Sequence, residues 1–305
     1  MSRSRPHVSV LLAALAALVA LGVLGACGRS GPAGGGVVDD GTPFGRQAAA
    51  AAKAWRDAGL GARWSDGFVP LEPLSVEPPW IEDGTLKASF YGGWIRAATF
   101  PDDAGSGVVR FADGSTLEVP LVGARTAVGQ LPARSGACPT DSGSSECRWV
   151  TLTAARLGTT TLGTSRGEAS VPAWLFTVEG LSQPLVRVAV APSAVTSLPE
   201  LPAPGAGREA GIVSAMYLGP VDGTTLAVDV GTGSCDTGPR GLVAEYPDLV
   251  VVGGAVTTPP PGTACDSMLV VQRVEVHLQR PVGTRPVIDA VSGQPLRPAP
   301  AAPSG

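Results

Sequence analysis

Residues 108–122 read VVRFADGSTLEVPLV, with apolar and polar side chains alternating on both sides of Asp113-Gly114. A period of two is the pattern of a half-buried strand. Asp-Gly suits a type I′ turn, in which both central residues take positive φ. The stretch predicts a β-hairpin, and much of the chain repeats the pattern. Asp83-Gly84 and Asp222-Gly223 read as two further turns of the same kind. Trp174, Phe176 and Val178 alternate with Leu175, Thr177 and Glu179, and the alternation resumes at Val186, Val188 and Val190. Those two runs predict a second hairpin.

From about Trp64 onward the chain is short strands and turns, up to a Pro-rich stretch, PSAVTSLPELPAPGAGREA, at 192–210. Four prolines and little apolar periodicity mark it as a linker. Beyond it several strand patterns follow, among them TTLAVDV, LVVVGGAV and MLVVQRVEVHLQR, with nothing of helical period. DGSTLEV at Asp113 and DGTTLAV at Asp222 form a faint internal echo. Two accounts remain open for it, duplication of a β-module and convergence on the residues such turns require.

One helix stands out. Thr42 offers an N-cap and Pro43 a first helical position, and RQAAAAAKAWRDAG then runs to Gly59. Ala48, Ala51, Ala52 and Trp55 share a face, with Trp55 the expected anchor into the core. The predicted fold class is mainly β, two β-sandwich or barrel-like domains with one N-terminal α-helix after a flexible tether. The predicted organisation is a signal peptide at 1–26, a tether at 27–42 and a β-rich domain carrying the helix at 43–192. A linker at 193–210, an all-β domain at 211–296 and a disordered tail at 297–305 complete it.

The N-terminus carries Arg3 and Arg5, a 17-residue apolar run from Val8 to Leu24, and then Gly25-Ala26-Cys27. The run is short for a spanning helix, and the three parts are those of a secretory signal. Leu24-Gly25-Ala26-Cys27 resembles the lipobox of bacterial lipoproteins, although Gly25 stands where that pattern more often has Ala, Ser, Thr or Val. The resemblance implies that the Cys27 thiol receives a diacylglyceryl group and becomes the mature N-terminus. The protein would then sit lipid-anchored on the outer face of the cytoplasmic membrane. The composition, with two lysines, 20 arginines and no asparagine, and the stretch GTRPVIDAVSGQPL at 283–296 resemble uncharacterised actinobacterial secreted lipoproteins.

Loss of residues 1–26 removes Arg3 and Arg5 and no acid, taking the formal net charge from −4 to −6. A mildly acidic chain without Lys/Arg clusters argues against nucleic acid as a partner. With Cys27 lipidated, Cys138, Cys147, Cys235 and Cys265 remain, and an oxidising compartment implies two disulfides among three connectivities. Cys138–Cys147 and Cys235–Cys265, each within one domain, are the expected pairs. Neither a metal site nor a cofactor motif is read: C-x-x-C is missing and His277 is the single mature histidine.

Strand alternation puts Val274, Val276 and Leu278 on one side and Arg273, Glu275, His277 and Gln279 on the other, so His277 belongs to a solvated sheet face. S-x-x-K and P-loop patterns are absent, and the doublets Glu82-Asp83 and Asp102-Asp103 lie beside turns. No catalytic residue is nominated. All six tryptophans precede the linker, and Tyr91-Gly92-Gly93-Trp94 places two rings on a glycine loop. Tyr91 and Trp94 are the candidate contacts for a ligand or partner.

Three functional classes follow. The first, which elimination favours, is a non-catalytic module binding an envelope protein or glycan. A solute-binding lipoprotein would be two α/β lobes, which one helix in a β-rich chain opposes. An envelope hydrolase would need carboxylates that leave little local signature.

Overall fold

The computed structural model describes residues 41–76, 78–103, 105–132, 148–203 and 211–299, apart from the side chains of Pro79 and Glu82. The signal segment, Cys27, most of the tether, and Cys138 and Cys147 lie outside these residues. So do 204–210 of the linker and the last residues of the tail. Helix α1 (Pro43–Asp57) begins as expected, its Thr42 Oγ1 accepting from Gly45 N at 2.9 Å. Gly59, at φ 63°, turns the chain into α2 (Leu60–Asp66), which no sequence pattern announced.

A seven-stranded sheet follows. β1 (Ser75–Val76) precedes a 3₁₀ turn (Pro79–Glu82) and α3 (Gly84–Tyr91); next come β2 (Ile95–Ala97), β3 (Ser106–Phe111), β4 (Thr116–Pro120) and α4 (Ala124–Gly129). The long strands β5 (Val150–Thr164) and β6 (Gly167–Val178) and the short β7 (Leu185–Val188) complete it. β6 is the spine. β5 lies along one flank, while β7 and β3 share the other. The predicted β6–β7 hairpin forms, and so does β3–β4, with Gly114 at φ 83°. Asp83-Gly84 is not a hairpin turn. Asp83 caps α3, accepting from Thr85 N at 2.9 Å and Leu86 N at 3.2 Å. A short Asp side chain serves a helix start as readily as a turn, and Leu86 and Phe90, one helical turn apart, decide for the helix by burying against Phe176 and Leu152.

After a second 3₁₀ turn (Pro192–Ala194), the remaining strands form two four-stranded sheets packed face to face. They are β8 (Ile212–Val213), β9 (Ala215–Asp222), β10 (Thr225–Gly233), β11 (Thr237–Glu245), β12 (Val250–Thr257), β13 (Leu269–His277), β14 (Val287–Asp289) and β15 (Arg297–Pro298). One sheet runs β13-β10-β9-β15; the other joins β11, β12 and β14, with β8 also on β12. Leu226, Val228 and Val230 of the first meet Val250, Val252 and Val287 of the second. No helix occurs among the described residues after 211, as the sequence implied.

The N-terminal helix sits on this sandwich, whereas the sequence reading grouped it with residues 43–192. Ala48, Ala51, Ala52, Trp55, Leu60 and Trp64 cover Ala244, Leu249, Val251 and Ile288 on the outer face of the second sheet. β12 is thus buried on both faces, the pattern of an interior strand, from Val250 to Ala255. The Pro-rich stretch behaves as a strap. Val195 bridges to Phe68, and Leu198 and Leu201 pack beside the helix. Likewise the expected tail starts with β15, paired parallel to β9, and Ala299 N donates to Leu218 O at 2.7 Å. All described residues fall in one compact unit.

Candidate functional site

The Tyr91–Trp94 turn is built by the end of α3. Gly92 N donates to Ala88 O at 2.8 Å, Gly93 takes φ 75°, and Trp94 N donates back to Ser89 O at 2.9 Å. Gly92 is required by proximity, since a Cβ there would lie 2.6 Å from Ala88 O and 2.9 Å from Trp94 Cδ1. Trp94 O then accepts from Val150 N at 2.9 Å, which ties the turn to the start of β5 and brings Trp149 alongside.

Trp94 and Trp149 meet edge to face, with centroids 5.6 Å apart and planes at 85°. The Arg96 guanidinium lies 4.0 Å from the Trp149 ring centre, a close cation–π contact. Tyr91 is 58% exposed, its ring braced edge-on by the buried Phe90 at 5.4 Å, and Phe90 in turn meets Trp80 at 5.9 Å. The Trp80 indole N–H is buried without a hydrogen-bond partner. Ser89, buried at the hinge of the turn, accepts from Arg148 N at 3.1 Å through its hydroxyl. Trp94 thus stands with Trp149 and Arg96, neither of which any sequence pattern singled out, while Tyr91, at the other end of the turn, is braced by Phe90. Rings with polar edges and one guanidinium suit stacking and hydrogen bonding against a polar partner.

A concavity of about 560 Å³ opens where the strap crosses between the two sheet systems. Val69, Leu71, Val195 and Leu198 give it apolar walls, and Glu200 and Arg297 carry opposite charges on its lining. Nothing in the sequence pointed to it. The spacing of Leu198 and Leu201 inside the supposed linker was the available signal that the segment packs.

His277 is exposed on β13, its Nδ1 3.2 Å from Thr225 Oγ1, while Val276 and Leu278 face inward as the alternation required. Asp102 accepts from Thr126 N at 2.9 Å and Thr126 Oγ1 at 3.1 Å, a cap for α4. Those bonds, the backbone one foremost, hold its carboxyl below the ordinary range. Cys235 and Cys265 are joined, with Cα atoms 5.9 Å apart; the Cys138–Cys147 pairing and Cys27 fall outside the described residues. Arg187, half-buried on β7, donates to Ser75 Oγ and Gln130 Oε1 at 3.0 Å each, and burial pushes its guanidinium below the usual value. No cluster of three His, Cys, Asp or Glu side chains suited to a metal occurs among the described residues. No family model matches the chain, and no curated protein or solved structure does either.

Proposed function

We propose that this chain is a lipid-anchored extracytoplasmic binding module of the cell envelope. It would be held at the membrane by acylated Cys27 and would take an envelope protein or glycan at the Tyr91–Trp94 turn. The observation that carries the binding reading is the packed pair of Trp94 and Trp149 under Arg96, with the exposed Tyr91 at the head of the same turn. Rigid rings give large contact area for little lost side-chain entropy, so they anchor partners well. The lipobox stretch supports the anchor, and the disulfide between two surface loops at Cys235 and Cys265 is in keeping with an oxidising compartment.

The binding test is co-sedimentation of the protein with insoluble cell-wall glycan, and cross-linking to a membrane-protein fraction, beside a Tyr91→Ala/Trp149→Ala variant. Recovery by one of the two, lost in the folded variant, is the expected result. Equal recovery of both forms overturns the site. Anchoring is tested separately: the protein partitions into the detergent phase and Cys27→Ala releases it.

A further inference from the structure

Helix α1 runs antiparallel to β12. Phe44 lies at Gly253, where a Cβ would come 3.3 Å from Phe44 Cε2, and at the other end of the helix Arg56 holds Asp248, just before the strand begins. From Phe44 to Arg56 the helix rises about 18 Å, and from Gly253 back to Asp248 the strand covers about 17 Å, so the two advance together. The tether therefore joins the folded part at the Thr257 end of β12.

The facing sheet brings an apolar surface to the same end. A Cβ on Gly254 would lie 2.9 Å from Val230 Cγ1 across the sandwich, and Thr257 pairs with Thr237. β10 ends beside them at Gly233, opposite Leu269 in register, and the Cys235–Cys265 disulfide joins the loops beyond. Of the seven large apolar side chains exposed among the described residues, three stand here: Met268 at 58%, Leu269 at 60% and Val271 at 48%. Leu226, Val228 and Val230 point inward, so Gly231 faces out. A Cβ on Gly231 would lie 2.9 Å from Met216 Sδ and 3.1 Å from Leu269 Cδ1, and Val271 is its partner in register. Met216, Leu269 and Val271 thus make one contiguous patch, and exposed apolar patches mark protein or membrane contacts.

We propose that this end of the sandwich rests on the outer leaflet of the cytoplasmic membrane, with Met268, Leu269 and Val271 in the interfacial layer of the bilayer. The proposal rests on the reading of Cys27 as the lipid anchor, and the length of the tether selects the membrane over another partner. From Cys27 to Gly41 the chain advances 14 residues. A Gly-rich chain of that length has an end-to-end distance of about 20 Å. The opposite end of the sandwich, with Asp222 and Asp248, lies a strand length further on, about 26 Å for the eight residues of β12. An acylated Cys27 therefore keeps the patch end beside the bilayer and the opposite end clear of it.

The charges make the contact apolar in kind. Asp236, Arg240 and Asp266 are the charged residues of 233–241 and 257–271. Both acids accept from backbone, Asp236 from Gly233 N at 2.7 Å and Asp266 from Met268 N at 3.2 Å. Further along the sheet Arg273 is paired with Asp229 at 2.7 Å. Without a basic cluster, docking draws on side-chain burial and needs no anionic lipid. Three side chains hold weakly by themselves, and the anchor supplies the local concentration at which they bind.

The test uses the acylated full chain in phosphatidylcholine vesicles, with a nitroxide label at Ser267→Cys beside the patch or at Asp222→Cys on the opposite end. Flotation with the vesicles is read first, and a chain that does not float overturns the anchored reading and this proposal with it. In chains that float, the label at 267 is expected to be roughly three-fold or more less accessible to a water-soluble nickel chelate than the label at 222, at low and high salt alike. Adding Met268→Ser/Leu269→Ser is expected to restore access while the chain still floats, with melting curves to show that each variant folds. Equal access of the two labels in floating chains overturns the docking alone, leaves the anchor standing and gives the patch to a protein partner. Shielding that survives Met268→Ser/Leu269→Ser overturns it as well.

Discussion

Arg56 on α1 clasps Asp248 in the β11–β12 turn, Nε to Oδ2 at 2.8 Å and Nη2 to Oδ1 at 2.7 Å, across 192 residues of sequence. The same guanidinium lies 5.0 Å from the Tyr246 ring centre. The fork fixes the end of the helix over the sandwich, and its geometry is the bidentate one that makes arginine–carboxylate pairs specific. The hydrogen bond from Arg56 is the main reason the Asp248 carboxyl sits below its ordinary range, with burial pushing the other way.

Both side chains are about half exposed, at 44% and 50%, so Asp248→Ala should cost about 0.2–1 kcal/mol at neutral pH. The pH dependence has a definite sign. A carboxyl with a lowered native pKa binds its proton more weakly when folded, so the pair stabilises above the unfolded value of about 4. That contribution disappears as pH falls through the native pKa. Urea titrations of wild type and variant should diverge at pH 7 and converge in acid.

Asp289, 1% exposed, accepts from Ala215 N at 2.9 Å, Ser214 Oγ at 2.7 Å, and Ser292 N and Oγ at 2.8 Å each. Removing it strands donors from β9 and from the turn after β14. Asp289→Ala should cost about 2–4 kcal/mol, and Asp289→Asn less, because one carbonyl oxygen remains. Denaturant midpoints of the two variants test the order.

Gly254 is a point of close approach inside the sandwich. A Cβ there would lie 2.7 Å from Val213 Cγ2 and 2.9 Å from Val230 Cγ1. Gly254→Ala should therefore destabilise by about 1–3 kcal/mol, despite the usual preference for alanine over glycine. An unchanged melting temperature would contradict the packing.

The Cys235–Cys265 disulfide closes a loop of 30 residues. Chain-entropy reasoning gives about 3–4 kcal/mol for such a loop. A Cys235→Ser/Cys265→Ser double variant should show a loss of that order in urea, with secondary structure retained in native buffer.

His277→Ala should change stability by no more than about 0.5 kcal/mol, since the ring is exposed and touches Thr225 alone among the described hydrogen bonds. A large loss in the melting curve would mean that β13 depends on that ring.

What could be read in advance was local. The turns at Asp113 and Asp222, the cap at Thr42 and the alternation along β13 each depend on residues within a few positions. The misread features are those whose partners are remote. Asp83 resembles Asp113 until Phe90 is seen to bury in the cluster that holds Leu152 and Phe176, and the strap resembles a spacer until Leu198 and Leu201 meet the helix. The candidate surface shows the same division. Tyr91 and Trp94 stood out by their glycines, whereas Trp149 and Arg96 join them through the parallel β2–β5 pairing, which no local pattern encodes.

The seat of α1 has a consequence for the order in which the chain acquires structure. The helix is synthesised well before the surface that buries it, which ends with Ile288 and Ala290, and Trp64 Nε1 donates to Thr284 O, 220 residues later. Contacts of such separation form slowly, because loop-closure entropy is lost before they can stabilise anything. Until the last strands arrive, the apolar face of α1 must wait uncovered. That face is mostly Ala48, Ala51 and Ala52, with Trp55 and the partly buried Phe44 as its large side chains. Alanine favours the helix strongly and attracts wrong partners weakly, so α1 is well able to wait for the strands that cover it.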